Sequence, residues 1–115
     1  MTSTPLPIAP LPGEKVRGSE SGRPIMALFD LLGRRWTMRI LWELNQNHRT
    51  FRELQQCCGK ISPTVLNQRL KDLREAALVV AVDKQGYQLT ETGKALMLHI
   101  EPMREWAQDW AEQLK

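Results

Sequence analysis

At 115 residues the chain has room for one domain with a modest core, and its 16 Lys and Arg against 13 Asp and Glu leave a net charge of only +3. That balance permits a nucleic-acid partner without requiring one. Adjacent Cys57 and Cys58 exclude a secreted disulfide framework, His48 and His99 lie too far away to give a metal-ligand spacing, and no apolar run nears the ~20 residues of a membrane helix. With an apolar start broken by prolines, unlike a secretory signal, these features predict a reduced, cytoplasmic protein that needs no cofactor.

Residues 1–22 carry Pro5, Pro7, Pro10 and Pro12, three glycines and few large apolar groups, a composition that predicts a flexible arm ahead of a folded domain at 23–115. The domain opens at Pro24, a good first-turn residue. Ile25, Leu28, Phe29, Leu31 and Leu32 make a short apolar helix that Gly33 is placed to end. From about Trp36 to Asn45, Trp36, Ile40, Leu41 and Leu44 form a core face. Met38 and Trp42 form a second apolar face, so this helix is expected to be covered on two sides. Thr50-Phe51-Arg52-Glu53 is a capping box for a short third helix that ends near Gly59, with Phe51 and Leu54 turned to the core.

The most telling segment is the fourth helix, at about 62–76. Ser62 can cap it and Pro63 suits its first turn, where a missing N–H costs nothing. Leu66, Leu70, Leu73 and Ala77 recur at helical spacing and lay down one apolar stripe. The opposite face carries Thr64, Asn67, Gln68 and Lys71. These types suit a helix that enters the major groove: Asn and Gln can pair with adenine at two points, and Lys reaches guanine or phosphate. Asp72 and Glu75 fall past the end expected to touch bases. Arg69, on the flank of the stripe, suits either a phosphate or an intrahelical pair with Asp72.

After Ala77 the period changes. Residues 78–89 read as a hairpin: Leu78-Val79-Val80-Ala81-Val82, a four-residue turn Asp83-Lys84-Gln85-Gly86 with Gly for a positive φ, then Tyr87-Gln88-Leu89. A hairpin directly after a helix-turn-helix is a wing, with Lys84 at its tip near a phosphate or minor groove. Thr90 caps a further helix that Pro102 should interrupt or kink, and a last helix carries Met103, Trp106, Trp110 and Leu114 on one stripe. That stripe, together with Met38 and Trp42, is apolar surface that a monomer would leave wet, which predicts a homodimer. Charge is divided as well: residues 49–75 hold six cations against three acids, and residues 101–115 hold four acids against two cations.

The fold class is therefore mainly α with a small β-hairpin, a winged helix-turn-helix. The order of four blocks resembles the HxlR-type regulators, a branch close to the MarR regulators. The blocks are Asp30-Leu31-Leu32-Gly33-Arg34-Arg35-Trp36-Thr37 leading into Ile40-Leu41-Trp42-Glu43-Leu44; Phe51-Arg52-Glu53-Leu54; Ile61 to Leu73; and Tyr87-Gln88-Leu89-Thr90-Glu91-Thr92-Gly93. The resemblance implies a bacterial DNA-binding homodimer that regulates transcription, paired through its N- and C-terminal helices. Many such relatives carry a redox-sensing Cys just before the first helix, followed by Pro. Arg23 stands there in this chain, so that thiol is absent.

The residues expected at DNA are Arg52, Ser62, Pro63, Thr64, Asn67, Gln68, Arg69, Lys71 and Lys84, on an inverted-repeat operator. Arg34, Arg35, Arg39 and Arg49 are further candidates for phosphate contacts. Those expected at the dimer interface are Met38, Trp42, Met103, Trp106, Trp110 and Leu114. Cys57 and Cys58 are expected to be inert at a helix end. No nucleophile–base constellation, phosphate loop or acid pair points to an enzyme. The rival class is a winged helix that binds protein and not DNA, and the polar face of the fourth helix argues against it, because protein-binding surfaces carry aromatic and aliphatic anchors.

Overall fold

In the computed structural model, which describes residues 10–13 and 22–115, the elements run α1 (Pro24–Leu32), α2 (Thr37–Gln46), α3 (Phe51–Cys57), α4 (Pro63–Glu75), β1 (Val79–Val82), β2 (Gly86–Leu89) and α5 (Glu91–Gln113). Most of the expected 1–22 arm lies outside the described residues. Within it, Pro10 is buried, and Pro10, Leu11 and Pro12 line an apolar notch of about 160 Å³ with Ala27 and Leu31 of α1 and Ala76 and Leu78 beyond α4.

Local side-chain chemistry starts three of the helices. Thr50 Oγ1 accepts from the Glu53 N–H at 3.1 Å while Glu53 returns an acceptor to the Thr50 N–H at 2.9 Å, a complete capping box. Those bonds from Thr50 also hold the Glu53 carboxyl below its usual range. Ser62 accepts from the Val65 N–H, and Thr90 accepts from the Gly93 N–H. Thr90 also donates to the Ala77 carbonyl, which ties the start of α5 to the end of α4.

The core sits around α2, which packs on α1, α3, α5 and β2. Ile40 and Leu41 from α2, Leu54 from α3, Leu66, Leu70 and Leu73 from α4 and Met97 from α5 are all essentially inaccessible. At roughly 1.5–3 kcal/mol per large apolar side chain, this cluster is the main term holding these four helices together. The hairpin is antiparallel with Val79 opposite Leu89 and Val82 opposite Gly86. Arg49 adds a one-residue bridge to Tyr87, exchanging N–H···O bonds of 3.0 and 2.7 Å, so the wing is fastened to the α2–α3 connection.

Four expectations need correction. Trp36 is not the first core residue of α2: it precedes the helix at φ 78°, in the left-handed region, half-buried, with the Arg35 guanidinium 5.1 Å from its ring centroid. Ala77 is not on the α4 stripe. It stands at φ 62° outside the helix, where its N–H bonds to Arg74 and that of Leu78 to Leu73, a Schellman ending usually built on glycine. The wing turn holds three residues, not four, since Gly86 already pairs with Val82, and Lys84 joins Gly86 in having positive φ. Finally, α5 runs unbroken through Pro102. Proline there removes the one bond to the carbonyl of Leu98, and Leu98 is 74% exposed, so water can serve that carbonyl.

Two close approaches demand glycine. A Cβ on Gly86 would overlap the carbonyl of Arg49, and one on Gly93 the carbonyl of Leu78. We expect Gly93→Ala to lower stability by about 1–3 kcal/mol through overpacking, and Ala77→Gly to raise it by about 0.5–1 kcal/mol through relief of left-handed strain. Urea unfolding followed by circular dichroism checks both signs.

Candidate nucleic-acid interface

Helix α4 is anchored on one side and open on the other. Leu66, Leu70 and Leu73 are buried, while Ser62, Pro63, Thr64, Asn67 and Lys71 are exposed. Packing of the inner stripe therefore determines where the outer groups point. The helix start is exposed as well: Ser62 caps the Val65 N–H, Pro63 carries none, and the positive end of the helix dipole lies at these exposed residues. Lys71 reaches Glu75 only at 4.0 Å, with both side chains well exposed, so this pair contributes little. Arg52 is exposed on the first turn of α3 and Lys84 at the wing tip. An open groove lined by Lys71, Arg74, Glu75 and the outer edge of β1 separates α4 from the wing.

Gln68 shares that open face only in part, and Arg69 does not share it. Asp72, only 1% exposed, accepts from Gln68 Nε2 at 2.8 Å, Arg34 Nη1 at 3.2 Å and Arg69 Nη1 at 3.4 Å. Arg34 also pairs with Asp30 at 3.5 Å, and Arg69 Nε donates to the Arg35 carbonyl at 2.8 Å. Arg69, offered above as a DNA contact, is thus turned inward with 12% of its side chain accessible. The geometry selects the pair with Asp72 and a tie to the α1–α2 connection. Gln68 is half-buried and keeps an outer edge.

Other expected phosphate contacts are also drawn into the fold. Arg34 belongs to the Asp72 cluster, and Arg49 pairs with Glu43 at 3.5 Å. Arg39 bridges Glu43 and the Cys57 carbonyl. The Arg69–Asp72 pair is legible in the sequence, and the i,i+4 spacing of Gln68 from Asp72 is a usable signal for the bond that was not expected. Nothing local joins Asp72 to Arg34, 38 positions away.

The second region of interest is apolar. Met103, Trp106 and Trp110 on α5 and Leu114 at its C-cap are 52–70% exposed, and Ile25 and Phe29 on α1 are 49% and 59% exposed. The two Trp rings stack with centroids 5.8 Å apart. Met38 and Trp42, expected on an exposed face with them, are half-buried against the core, and Arg104 lies 5.3 Å from the Trp42 ring centroid. Cys58 is buried and Cys57 half-buried. Burial pushes the Cys58 thiol above its ordinary pKa, outweighing the opposing effect of Arg39.

A capped helix-turn-helix followed by a hairpin, with a polar outer face on its second helix, defines the winged helix-turn-helix class. The profile of the HxlR-like helix-turn-helix family matches residues 31–115, and the chain belongs to that family. It is 33% identical over 90 residues to the transcriptional regulator YodB of Bacillus subtilis, spanning 73% of this chain and 80% of that protein. The crystal structure of quinone-bound YodB superposes with a TM-score of 0.69, covering 74% of this chain and 94% of that one at 33% identity. A possible HxlR-family factor from Thermoplasma volcanium gives 0.65 at 28% identity, over 74% and 82% of the two chains. A MarR-family regulator from Enterococcus faecalis, 21% identical, shares the fold with a TM-score of 0.71 over 85% and 94% of the chains.

Removing Asp72 would leave two guanidiniums facing a buried void. Asp72→Ala should therefore cost about 3–5 kcal/mol, the range for breaking a buried charge cluster from one side. An exposed pair such as Lys71–Glu75 should cost under about 1 kcal/mol when broken, so parallel denaturant titrations of Asp72→Ala and Glu75→Ala separate the two cases.

Proposed function

We propose that this chain is a cytoplasmic, sequence-specific transcriptional regulator that binds an inverted-repeat operator as a homodimer. The observation that carries the reading is the face of α4: Thr64, Asn67 and Lys71 stand exposed over a fully buried leucine stripe, with the capped helix start open beside them. In this reading α4 lies in the major groove, with Thr64, Asn67, Gln68 and Lys71 toward base edges and Ser62 and Pro63 near a phosphate at the helix start. Arg52 and Lys84 meet the backbone, Lys84 from the wing. We leave Arg69 out of the contact set because Asp72 and the Arg35 carbonyl occupy it.

Losing base contacts relaxes specificity by roughly 1–3 kcal/mol each, whereas losing a phosphate contact weakens all sequences alike and lowers the salt slope. Asn67→Ala/Gln68→Ala should bind random DNA as the wild type does while losing preference for operator. Arg52→Ala and Lys84→Ala should do the reverse. Gel-shift titrations against both DNAs at several salt concentrations measure this, and an unchanged operator preference in the folded double variant would defeat the groove-reading role.

The same reading assigns Met103, Trp106, Trp110 and Leu114, with Ile25 and Phe29 of α1, to a two-fold interface, and Met38 and Trp42 to its half-buried floor. Exposed apolar side chains in this number mark an association site. In a two-fold dimer the α4 helices would enter successive major grooves about 34–36 Å apart. Sedimentation of the wild type should show a dimer at micromolar concentration, and Trp106→Glu/Trp110→Glu should show a folded monomer. A wild-type monomer contradicts the assignment.

We further propose that no thiol switch operates here. YodB has been solved in quinone-bound and diamide-treated forms, but Arg23 occupies the place before the first helix where a thiol would be sought, and the two cysteines lie at the end of α3. Because burial raises the Cys58 pKa, its thiolate is scarce at neutral pH and its alkylation should accelerate only above the ordinary thiol range. Diamide at neutral pH should leave operator binding unchanged. Loss of binding that Cys57→Ser or Cys58→Ser prevents would refute this.

A further inference from the structure

Gln68 belongs both to the reading face of α4 and to the buried charge cluster beneath it. Its Nε2 donates to Asp72 Oδ1 at 2.8 Å, the shortest of the contacts made to that carboxylate by Gln68, Arg34 and Arg69. Asp72 cannot turn away, because both arginines hold its other oxygen, Oδ2. An ionised carboxylate only accepts hydrogen bonds, so the nitrogen end of the Gln68 amide must face it. Flipping the amide would set Oε1 against an anionic oxygen. One N–H is thus used inside the protein, and Oε1 with the second N–H is what the side chain retains for a base. That acceptor–donor pair complements N6 and N7 of adenine. A glutamine free to turn can instead direct both N–H groups at acceptors, which is what O6 and N7 of guanine offer.

We propose that Asp72 is a positioning residue for base reading: by fixing which way the Gln68 amide faces, it makes that side chain select adenine and reject guanine. The inference rests on the DNA-binding role given to α4 above. It assigns the buried cluster a part in specificity beyond stability, since Arg34 and Arg69 hold the carboxylate that holds the amide.

The test is selection of bound sequences from a pool of random duplex DNA by the full-length wild type, Asp72→Asn, Gln68→Met and the double variant. The base pair read by Gln68 is the one whose preference Gln68→Met erases. There the wild type should favour adenine over guanine by about tenfold, Asp72→Asn should shrink that ratio to about two- or threefold with other positions unchanged, and the double variant should match Gln68→Met. If Asp72→Asn weakens every sequence alike and keeps the adenine preference, Asp72 is structural only and the proposal falls. A wild-type preference for guanine there, or a motif untouched by Gln68→Met, overturns the proposal and leaves DNA binding standing. Failure of the wild type to enrich any sequence overturns the DNA-binding reading and this inference with it. Should Asp72→Asn not fold, the side-chain amide spectrum of the wild type decides. The two Gln68 amide protons, assigned by their loss in Gln68→Met, should be well separated with one protected from exchange, and two freely exchanging protons at unshifted positions would overturn the proposal.

Discussion

The carboxylate of Asp72 is the constraint on which the rest of the molecule depends. A charge this deeply buried is tolerated only when several donors surround it, and Arg34, Arg69 and Gln68 supply them. Those donors come from two places: α4 itself and the α1–α2 connection. The cluster therefore sets the rotation of α4 about its axis against α1, in a way the leucine stripe alone cannot, because apolar contacts are non-directional. Asp30 extends the chain of charges into α1, whose outer residues Ile25 and Phe29 face solvent. A polar path thus joins α4, with its exposed polar face, to α1, which carries part of the exposed apolar surface.

The molecule is built unevenly. Its apolar interior ends near Ile100 on α5, and the following turns hold an exposed Trp106–Trp110 pair. A helix end whose side chains are exposed still stays helical, for two reasons. Good helix formers such as Ala107, Glu105 and Gln108 fill it, and the ordered first half spares it the cost of nucleation. Arg104 over Trp42 and Asn45 with Glu101, at 3.1 Å, brace the midpoint against α2, on either side of Pro102. The acidic α5 end and the basic stretch from Arg49 to Arg74 lie on different elements, in keeping with separate surfaces for separate partners.

The joints between elements carry the conformational cost. Trp36 and Ala77 adopt left-handed backbone without being glycine, Trp36 where the chain enters α2 and Ala77 where it leaves α4. Arg35 over the Trp36 ring offsets part of the first. The buried contact of Leu73 with Leu78, inside the Schellman ending, offsets part of the second. Gly86 and Gly93 mark the opposite solution, where backbone passes so close that no side chain fits. Together these joints leave the wing and α4 one way to sit against each other.

By itself the sequence determined what short-range physics determines. Thr50 with Glu53, Ser62 with Pro63, and Thr90 announce helix starts, because a cap acts on N–H groups two or three residues away. The stripe of Leu66, Leu70 and Leu73 and the change of period at Leu78 announce a helix followed by a hairpin, and their order announces the family. Tertiary structure decided the rest. Pro102 stays within one helix because Leu98, whose carbonyl it orphans, is exposed and α2 braces the flanking turns. Trp36 leaves its helix because Thr37, one residue on, is the residue that is fully buried. Arg69 turns inward because Asp72 and the Arg35 carbonyl are both within its reach, and Asp72 itself is buried because Arg34 arrives from 38 residues away. A periodic pattern records which face of a helix is apolar. It does not record which charged neighbour will meet that helix, since ion pairing depends on three-dimensional separation and burial, and only the folded chain defines both.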